Sequence, residues 1–455
     1  MNSYNFVENL RKTFRSNRTR SYDWRVAQLN GLKRLLVEKD SDINEALWQD
    51  LRKGVFESQI SEQGLVVNEI EHAIRHLSGW MKPQSARTPL IAQPGHSEIR
   101  SDPYGVVLII GAWNYPINLL LAPLVGALSG GNAVVLKPSE LAPATSGLMA
   151  KLIPQYLDPD AVVVFEGGIP ETDHLLDCIF DYIFFTGSST VGRIIMRKAA
   201  ENLTPVTLEL GGKSPAIVMG DADIAVAARR IAWGKFLNAG QTCIAPDYVL
   251  VHSSVENAFL SGLKHAIQAF YGEDPEKSPD YCRIVNDRNF ARLEKFLNDG
   301  RRYCGGKINP KTRYIEPTVL QMADGETSVM KEEIFGPILP VLPIQSADEA
   351  IEFVNQRPKP LALYLFSSDH SISETILDQT SSGGVCINDV VIHMPSPHLP
   401  FGGVGASGMG RYHGRNSFDT FTHQKGVMKK MTWGDVPIRY PPYSMQKLKW
   451  MLRLS

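Results

Sequence analysis

The chain has 455 residues, with 47 Lys and Arg against 48 Asp and Glu for a net charge of -1, and 43% of it is hydrophobic. This length exceeds what one hydrophobic core supports, so two or three globular units are expected, and the balanced charge leaves no overall field to draw in nucleic acid. The five cysteines, at 178, 243, 282, 304 and 386, are odd in number and form no C-x-x-C pair, which fits a reducing compartment better than a disulfide scaffold. Along the chain, the N-terminus Met1-Asn-Ser-Tyr-Asn-Phe-Val-Glu8 has no basic segment followed by an apolar core, so a cytoplasmic location is the default. Leu29, Leu32, Leu35, Leu36, Ile43 and Leu47 recur at helical spacing within 20–80 and predict outer helices. Prolines dominate 83–102 and suggest an extended arm. The stretch 105–136 has no charged residue and is long enough for a bilayer, but Pro116, Pro123 and several Asn and Gly interrupt it, so it reads as buried strand, helix and strand.

From there strands and helices alternate: strands over 106–110, 133–136, 160–165, 182–185 and 206–210, with helices over 117–128, from 145, and over 191–200. The second half repeats this with strands over 215–219 and 248–251 and helices over 224–237 and 256–271. Continuous apolar strands alternating with helices predict an α/β protein with parallel sheets covered on both faces. A boundary near Gly211-Gly212 would leave a cleft between the halves that holds Glu209 and Cys243.

Two residues in that cleft have chemistry of their own. Cys243 follows the turn-prone, polar Asn238-Ala-Gly-Gln-Thr at the end of a helix, as a presented nucleophile would. Glu209 closes a strand where Gly211 and Gly212 let the backbone turn, and suits a water-activating base if burial raises its pKa. Read alone, Cys243 is equally a buried structural thiol and Glu209 a carboxylate that caps a helix or pairs with Lys213. Gly187-Ser-Ser-Thr-Val-Gly192 lies between a strand and a helix, where glycines permit close backbone approach and a helix N-terminus attracts a pyrophosphate, although glycines there are also simple turn formers. Histidines 393, 398, 413 and 423 are too dispersed for a metal motif, and no metal is expected.

Together with Ala112-Trp-Asn114-Tyr-Pro116, Lys137-Pro-Ser-Glu140, Glu333-Ile-Phe335-Gly-Pro337 and Pro400-Phe401-Gly-Gly403, these segments resemble the aldehyde dehydrogenase superfamily in order and spacing from about residue 20 to 425. The run 400–414 and the short N-terminus resemble its class 3 branch. The family's motif proline is Ala112 here, and the middle of the Gly187 motif is Ser189 rather than threonine.

The resemblance implies a Rossmann-type cofactor domain over 1–82 and 103–211, an α/β catalytic domain over 212–420, and a bridging or oligomerisation arm over 83–102 with a tail over 421–455. It implies NAD or NADP as cofactor, and oxidation of a medium- or long-chain or aromatic aldehyde to the acid by a homodimer. Cys243 would add to the aldehyde and carry a thiohemiacetal, then a thioester that water activated by Glu209 hydrolyses. Asn114 would hydrogen-bond the oxyanion. Lys137, Glu140, Gly187, Ser188, Gly192, Glu333 and Phe335 would hold the cofactor, and Tyr115, Thr242 and Phe401 would line the substrate pocket. The tail Arg439–Ser455 predicts a short helix with Met445, Leu448, Met451 and Leu452 on one side, packed over a substrate entrance or, as a second reading, touching a membrane surface.

Overall fold

The apolar runs become the middle of a six-stranded sheet in the computed structural model, which describes residues 3–454; Met1 and Asn2 of the N-terminal reading and Ser455 of the tail lie outside the described residues. In spatial order the strands are Gly408–Met409, Val206–Leu210, Tyr182–Gly187, Val106–Ile110, Ala133–Lys137 and Val162–Val164. All adjacent pairs are parallel except the first. Every residue of Val106–Ile110 and Ala133–Lys137 is buried, because helices cover both faces. Val107 and Ile109 face one core with Leu120 and Leu124 of the fully buried helix Asn118–Gly130. Val106, Leu108 and Ile110 face another with Ile195 of the helix Ser189–Glu201 and with Val7 and Leu10 of the helix Ser3–Arg15, which lies ahead of the first predicted helix. The uncharged stretch 105–136 is therefore core. Among the described residues no helix is long and apolar enough to cross a membrane.

Strand order fixes where a ligand can sit. The chain runs outward from Val106–Ile110 through Ala133–Lys137 to Val162–Val164, then returns to place Tyr182–Gly187 on the other side of Val106–Ile110. Loops leaving the carboxyl ends of the two central strands diverge at this reversal and open a crevice. The loops that leave there carry Asn114 and Gly187.

A second, seven-stranded sheet runs Arg301–Cys304, Thr318–Gln321, Ile338–Ile344, Tyr248–His252, Pro215–Val218, Ala362–Phe366, Gly384–Ile387, and is parallel apart from its first pair. Gln84–Ala86, Gly95–Pro103 and Thr422–Lys430 form a separate antiparallel sheet, so the segments expected to make an arm pair with each other. One boundary differs from the sequence reading. Gly408–Met409, inside the 212–420 unit by sequence, pairs with Val206–Leu210 at the edge of the first sheet, and the helix Arg415–Thr420 packs on Asn118–Gly130. A two-residue strand bounded by glycines has no periodicity from which to predict it. The tail forms the helix Met445–Leu454, which contacts the turn Leu90–Ala92 of the arm and leaves Met445, Leu448 and Trp450 exposed.

Candidate functional site

Cys243 is delivered by a strained turn. The helix Ile224–Phe236 stops, and Asn238, Ala239 and Gly240 then adopt positive φ of 51°, 51° and 72° in succession. A Cβ at Gly240 would stand 2.2 Å from the carbonyl oxygen of Gly336, so only glycine fits. Ala239 in this region costs on the order of 1 kcal/mol, which the surroundings must offset. Gln241 supplies much of that: its Nε2 donates to the carbonyls of Asn238 and Arg283 at 3.0 Å each, and its Oε1 accepts from Val285 N at 3.0 Å. Burial first, then the carboxyls of Glu333 and Glu209, push the half-buried Cys243 thiol up to about 12, while the N–H groups of Cys243 and Ile244 pull it down. All five cysteines are free thiols, and no other of them stands on such a turn.

Glu209 lies in the strand Val206–Leu210, between Thr186 and Gly408 in register, and is 3% exposed. The pairing with Lys213 that would make it structural does not form, because Lys213 pairs with Asp247 and donates to the carbonyls of Val329 and Glu332 at 2.9 Å. Among the described residues, neither carboxyl oxygen of Glu209 has a hydrogen-bond partner. Burial therefore raises its pKa well above the ordinary carboxylate range. A buried carboxyl without partners, electrostatically coupled to a thiol, is costly to stability and suited to accepting a proton from water.

Asn114 is 3% exposed and sits one turn before the helix Asn118–Gly130. Its Nδ2 donates to the carbonyl of Gln241 at 3.0 Å, which turns the amide toward the cysteine loop and leaves one N–H unspent. Asn238 returns the link, donating from Nδ2 to the carbonyl of Asn114 at 2.8 Å. Beside them Tyr115 Oη and Thr242 Oγ1 share a hydrogen bond of 2.6 Å, so the expected pocket residues Tyr115 and Thr242 meet directly. Phe401, 7% exposed, packs against Tyr412, His413 and His393. Tyr412 and Tyr364 both lie within electrostatic reach of Cys243, and Tyr364 Oη donates to the carbonyl of Ile244.

Three buried charges here escape sequence reasoning. Lys53, Glu57 and Glu62 read as charges on an amphipathic helix, yet they are 1%, 8% and 0% exposed. Lys53 Nζ bonds Glu62 Oε1 at 2.6 Å and the carbonyl of Asn114 at 3.1 Å, and stands 4.1 Å from the centroid of the Tyr115 ring. No local signal marks them, since Lys53 and Glu57 stand four residues apart, the spacing of an ordinary solvated helical ion pair.

The residues expected to hold a dinucleotide gather on the same side. Gly187 and Ser188 lead into the helix Ser189–Glu201, and Ser188 Oγ accepts from Val191 N at 3.4 Å. A Cβ at Gly187 would meet the Phe185 ring at 2.5 Å, and one at Gly192 would meet Leu210 at 2.8 Å, so the backbone there is kept bare and close-packed. Lys137, 3% exposed, bonds Glu140 Oε2 at 2.6 Å, with the Glu140 side chain 41% exposed, so this ion pair is anchored at the sheet and reaches outward. Glu333 accepts from Gly212 N at 3.0 Å, and burial with Asp247 nearby pushes it up to about 8. Phe335, at φ 49°, sets its ring edge-to-face on Trp113 at 5.3 Å, next to Asn114. A bare backbone at a helix N-terminus, an outward Lys and Glu pair and a buried glutamate within electrostatic reach of the thiol are groups that would suit a dinucleotide. Among the described residues no group of His, Cys, Asp or Glu is arranged to hold a metal ion.

Comparison with known proteins agrees with this geometry. A model of the aldehyde dehydrogenase family matches residues 4–427. The chain is 49% identical to human aldehyde dehydrogenase family 3 member B1, over 98% of this chain and 96% of that one. It is 48% identical to the mouse dimeric NADP-preferring aldehyde dehydrogenase, over 97% and 98%. Among solved structures, the substrate-bound state of Staphylococcus aureus AldH superposes with a TM-score of 0.96 at 46% identity, covering 99% of this chain and 98% of that one. An indole-3-acetaldehyde dehydrogenase complexed with NAD+ superposes with a TM-score of 0.87 at 28% identity, over 94% and 89%. A doubly wound cofactor sheet joined to a cysteine-bearing second sheet, and matches that span nearly the whole chain, make this protein a member of the aldehyde dehydrogenase family, an oxidoreductase that uses NAD or NADP.

Proposed function

We propose that Cys243 is the nucleophile of an aldehyde oxidation that ends in the carboxylic acid, with Glu209 as the base for hydrolysis. The observation that carries this reading is the pair of unpartnered carboxyl oxygens on Glu209, buried and electrostatically coupled to the Cys243 thiol. The Cys243 thiol gives up its proton to solvent as its sulfur bonds the aldehyde carbonyl carbon, and the oxyanion that forms takes hydrogen bonds from the free N–H of Asn114 Nδ2 and from the backbone N–H of Cys243. The bound NAD or NADP supplies the hydride acceptor. Glu209 then removes a proton from the water that attacks the thioester, and the acid leaves as Cys243 regains its proton. Lys137, Glu140, Gly187, Ser188, Gly192, Glu333 and Phe335 hold the dinucleotide, and Tyr115, Thr242 and Phe401 wall the substrate side.

The aromatic lining of Tyr115, Phe401, Tyr364 and Tyr412 favours medium- or long-chain aliphatic or aromatic aldehydes. We propose a homodimer, which the relative named as dimeric supports. The exposed stripe of the helix Met445–Leu454 then covers the partner subunit's substrate entrance, with peripheral membrane contact as the alternative for Lys447, Lys449 and Arg453 beside Trp450. The test is Cys243→Ala, which abolishes aldehyde oxidation and leaves nucleotide affinity nearly intact, while the parent trapped with substrate carries an acyl mass on the peptide that contains Cys243. Oxidation that persists in the variant assigns the nucleophile elsewhere.

A further inference from the structure

One short segment reaches both halves of the reaction centre with buried charge. Residues 53–62 run from the end of the helix Asp40–Leu51 through Val55–Ser58 into a π-helical turn, Gln59–Gln63. Such turns are rare and cluster at functional sites, since they rotate side chains out of ordinary helical register. Here the turn brings Glu62 under the loop that holds Asn114. Its Oε2 accepts from Ile117 N at 3.1 Å and Asn118 N at 3.0 Å, two orphan donors at the start of the next helix. Its Oε1 takes Lys53 Nζ, whose second bond is to the carbonyl of Asn114. Glu57, earlier on the same run, receives the Cys282 thiol at 3.6 Å and lies within electrostatic reach of the backbone N–H of Asn238, with burial pushing its carboxyl up to about 7. Asn238 is the first left-handed residue of the turn that presents Cys243.

Burying three charges costs several kcal/mol even when they are paired, and apolar side chains of the same size would fill this space with equal or better stability. The fold alone does not call for them. What they supply is direction: the Asn114 carbonyl is gripped by Lys53 and Asn238, and Glu57 faces the backbone N–H of Asn238, so the donor loop and the thiol loop are both referred to one segment. We propose that Lys53, Glu57 and Glu62 are positioning residues for the oxidation, a charged frame that sets the distance between the Asn114 amide and the Cys243 sulfur. None of the three touches the reacting atoms. The inference rests on the assignment of Cys243 and Asn114 made above.

The test is the pre-steady-state burst of reduced cofactor in the full-length enzyme. In the double variant Lys53→Met/Glu62→Gln the Lys53–Glu62 ion pair leaves as a unit, Glu57, whose carboxyl burial already pushes up to about 7, takes up a proton once Lys53 is gone, and the amide oxygen introduced by Glu62→Gln still accepts from Ile117 and Asn118. The melting temperature therefore stays close to that of the parent, whereas the grip on the Asn114 carbonyl is gone. The burst rate at saturating aldehyde falls about tenfold to a hundredfold, as displacement of a reacting group by a fraction of an ångström does, with half-saturating aldehyde and nucleotide affinity nearly unchanged. A burst rate equal to the parent's overturns the frame. The other arm is read independently, should the double variant fail to fold: Glu57→Gln keeps an acceptor for Asn238 and retains the burst, while Glu57→Met loses it and slows by a similar factor. Equal rates for those two variants overturn the proposal as well. Cys243→Ala run alongside separates the two ideas, since a burst from that variant defeats the nucleophile assignment, and its absence together with unimpaired frame variants defeats only the frame.

Discussion

Replacing Glu209 by Gln probes chemistry and stability through one atom change. The Gln side chain keeps the volume of a residue that is 3% exposed and has no hydrogen-bond partners to lose. The first half of the reaction does not need the base, so each active site should release one equivalent of reduced cofactor and then stall. Loss of a positioned base typically costs about 10²- to 10⁴-fold, which corresponds to roughly 3–5 kcal/mol on the hydrolytic barrier. Rapid mixing with absorbance at 340 nm resolves the burst from the steady state. The same substitution changes the pH dependence of unfolding. The folded-state pKa of Glu209 is raised, so between the unfolded value of about 4.3 and that higher folded value the unfolded chain binds fewer protons than the native one. Wild-type stability therefore declines through that window by up to about 1.4 kcal/mol per pH unit from this residue alone, a decline that the Glu209→Gln variant lacks. The variant should match the parent near pH 4 and become relatively more stable toward neutrality. Undiminished multiple turnover at neutral pH would refute the base assignment, and parallel stability curves would refute the claim that the carboxyl is held without partners.

Asn114→Ala should slow the burst itself by about a hundredfold or more, because it removes a donor to the oxyanion while leaving Glu209 in place, and an unchanged burst counts against that role. Glu140→Gln, which removes the acidic group from the outward pair with Lys137, should shift preference toward NADP relative to NAD, and a ratio of kcat/KM that is flat or moves toward NAD removes Glu140 from the ribose. Deleting 441–455 should change the KM for long-chain aldehydes far more than for short ones; if the tail is instead a membrane contact, only the intact chain should co-sediment with anionic vesicles, and loss of that binding at high salt would identify it.

How much of this could be read from the sequence depended on how local each cause was. The strand over 206–210 and the helix over 256–271 coincide with Val206–Leu210 and Glu256–Tyr271, because an apolar run and a helical stripe are decided by near neighbours. Cys243 and Glu209 stood out because both lie at turns, where composition marks backbone geometry. The predicted helix over 224–237 overran by one residue, since Leu237 is apolar but belongs to the turn that starts the left-handed series. Lys53, Glu57 and Glu62 were invisible for the opposite reason. Apart from the Lys53–Glu62 pair itself, their partners Asn114, Ile117, Asn118 and Asn238 lie far along the chain, and nothing in a charged helical stretch marks which charges the tertiary fold will bury. The pairing of Lys213 with Asp247 rather than Glu209 is likewise a choice between two carboxylates that only the second sheet makes.

The strand Gly408–Met409 has a consequence for how the protein is made. It completes the edge beside Glu209, and the helix Arg415–Thr420 covers part of Asn118–Gly130, yet both are translated about 200 residues after Leu210, the end of the strand that Gly408–Met409 shields. At about 5–20 residues per second a ribosome leaves that edge bare for on the order of 10–40 s. During that interval the nascent chain presents an unpaired strand edge above a large apolar helix, the kind of surface that recruits another strand or a chaperone. A fragment that stops near residue 211 would stay in this state permanently, so the cofactor-binding half of the enzyme should aggregate when expressed alone, and supplying 400–430 in trans should rescue it.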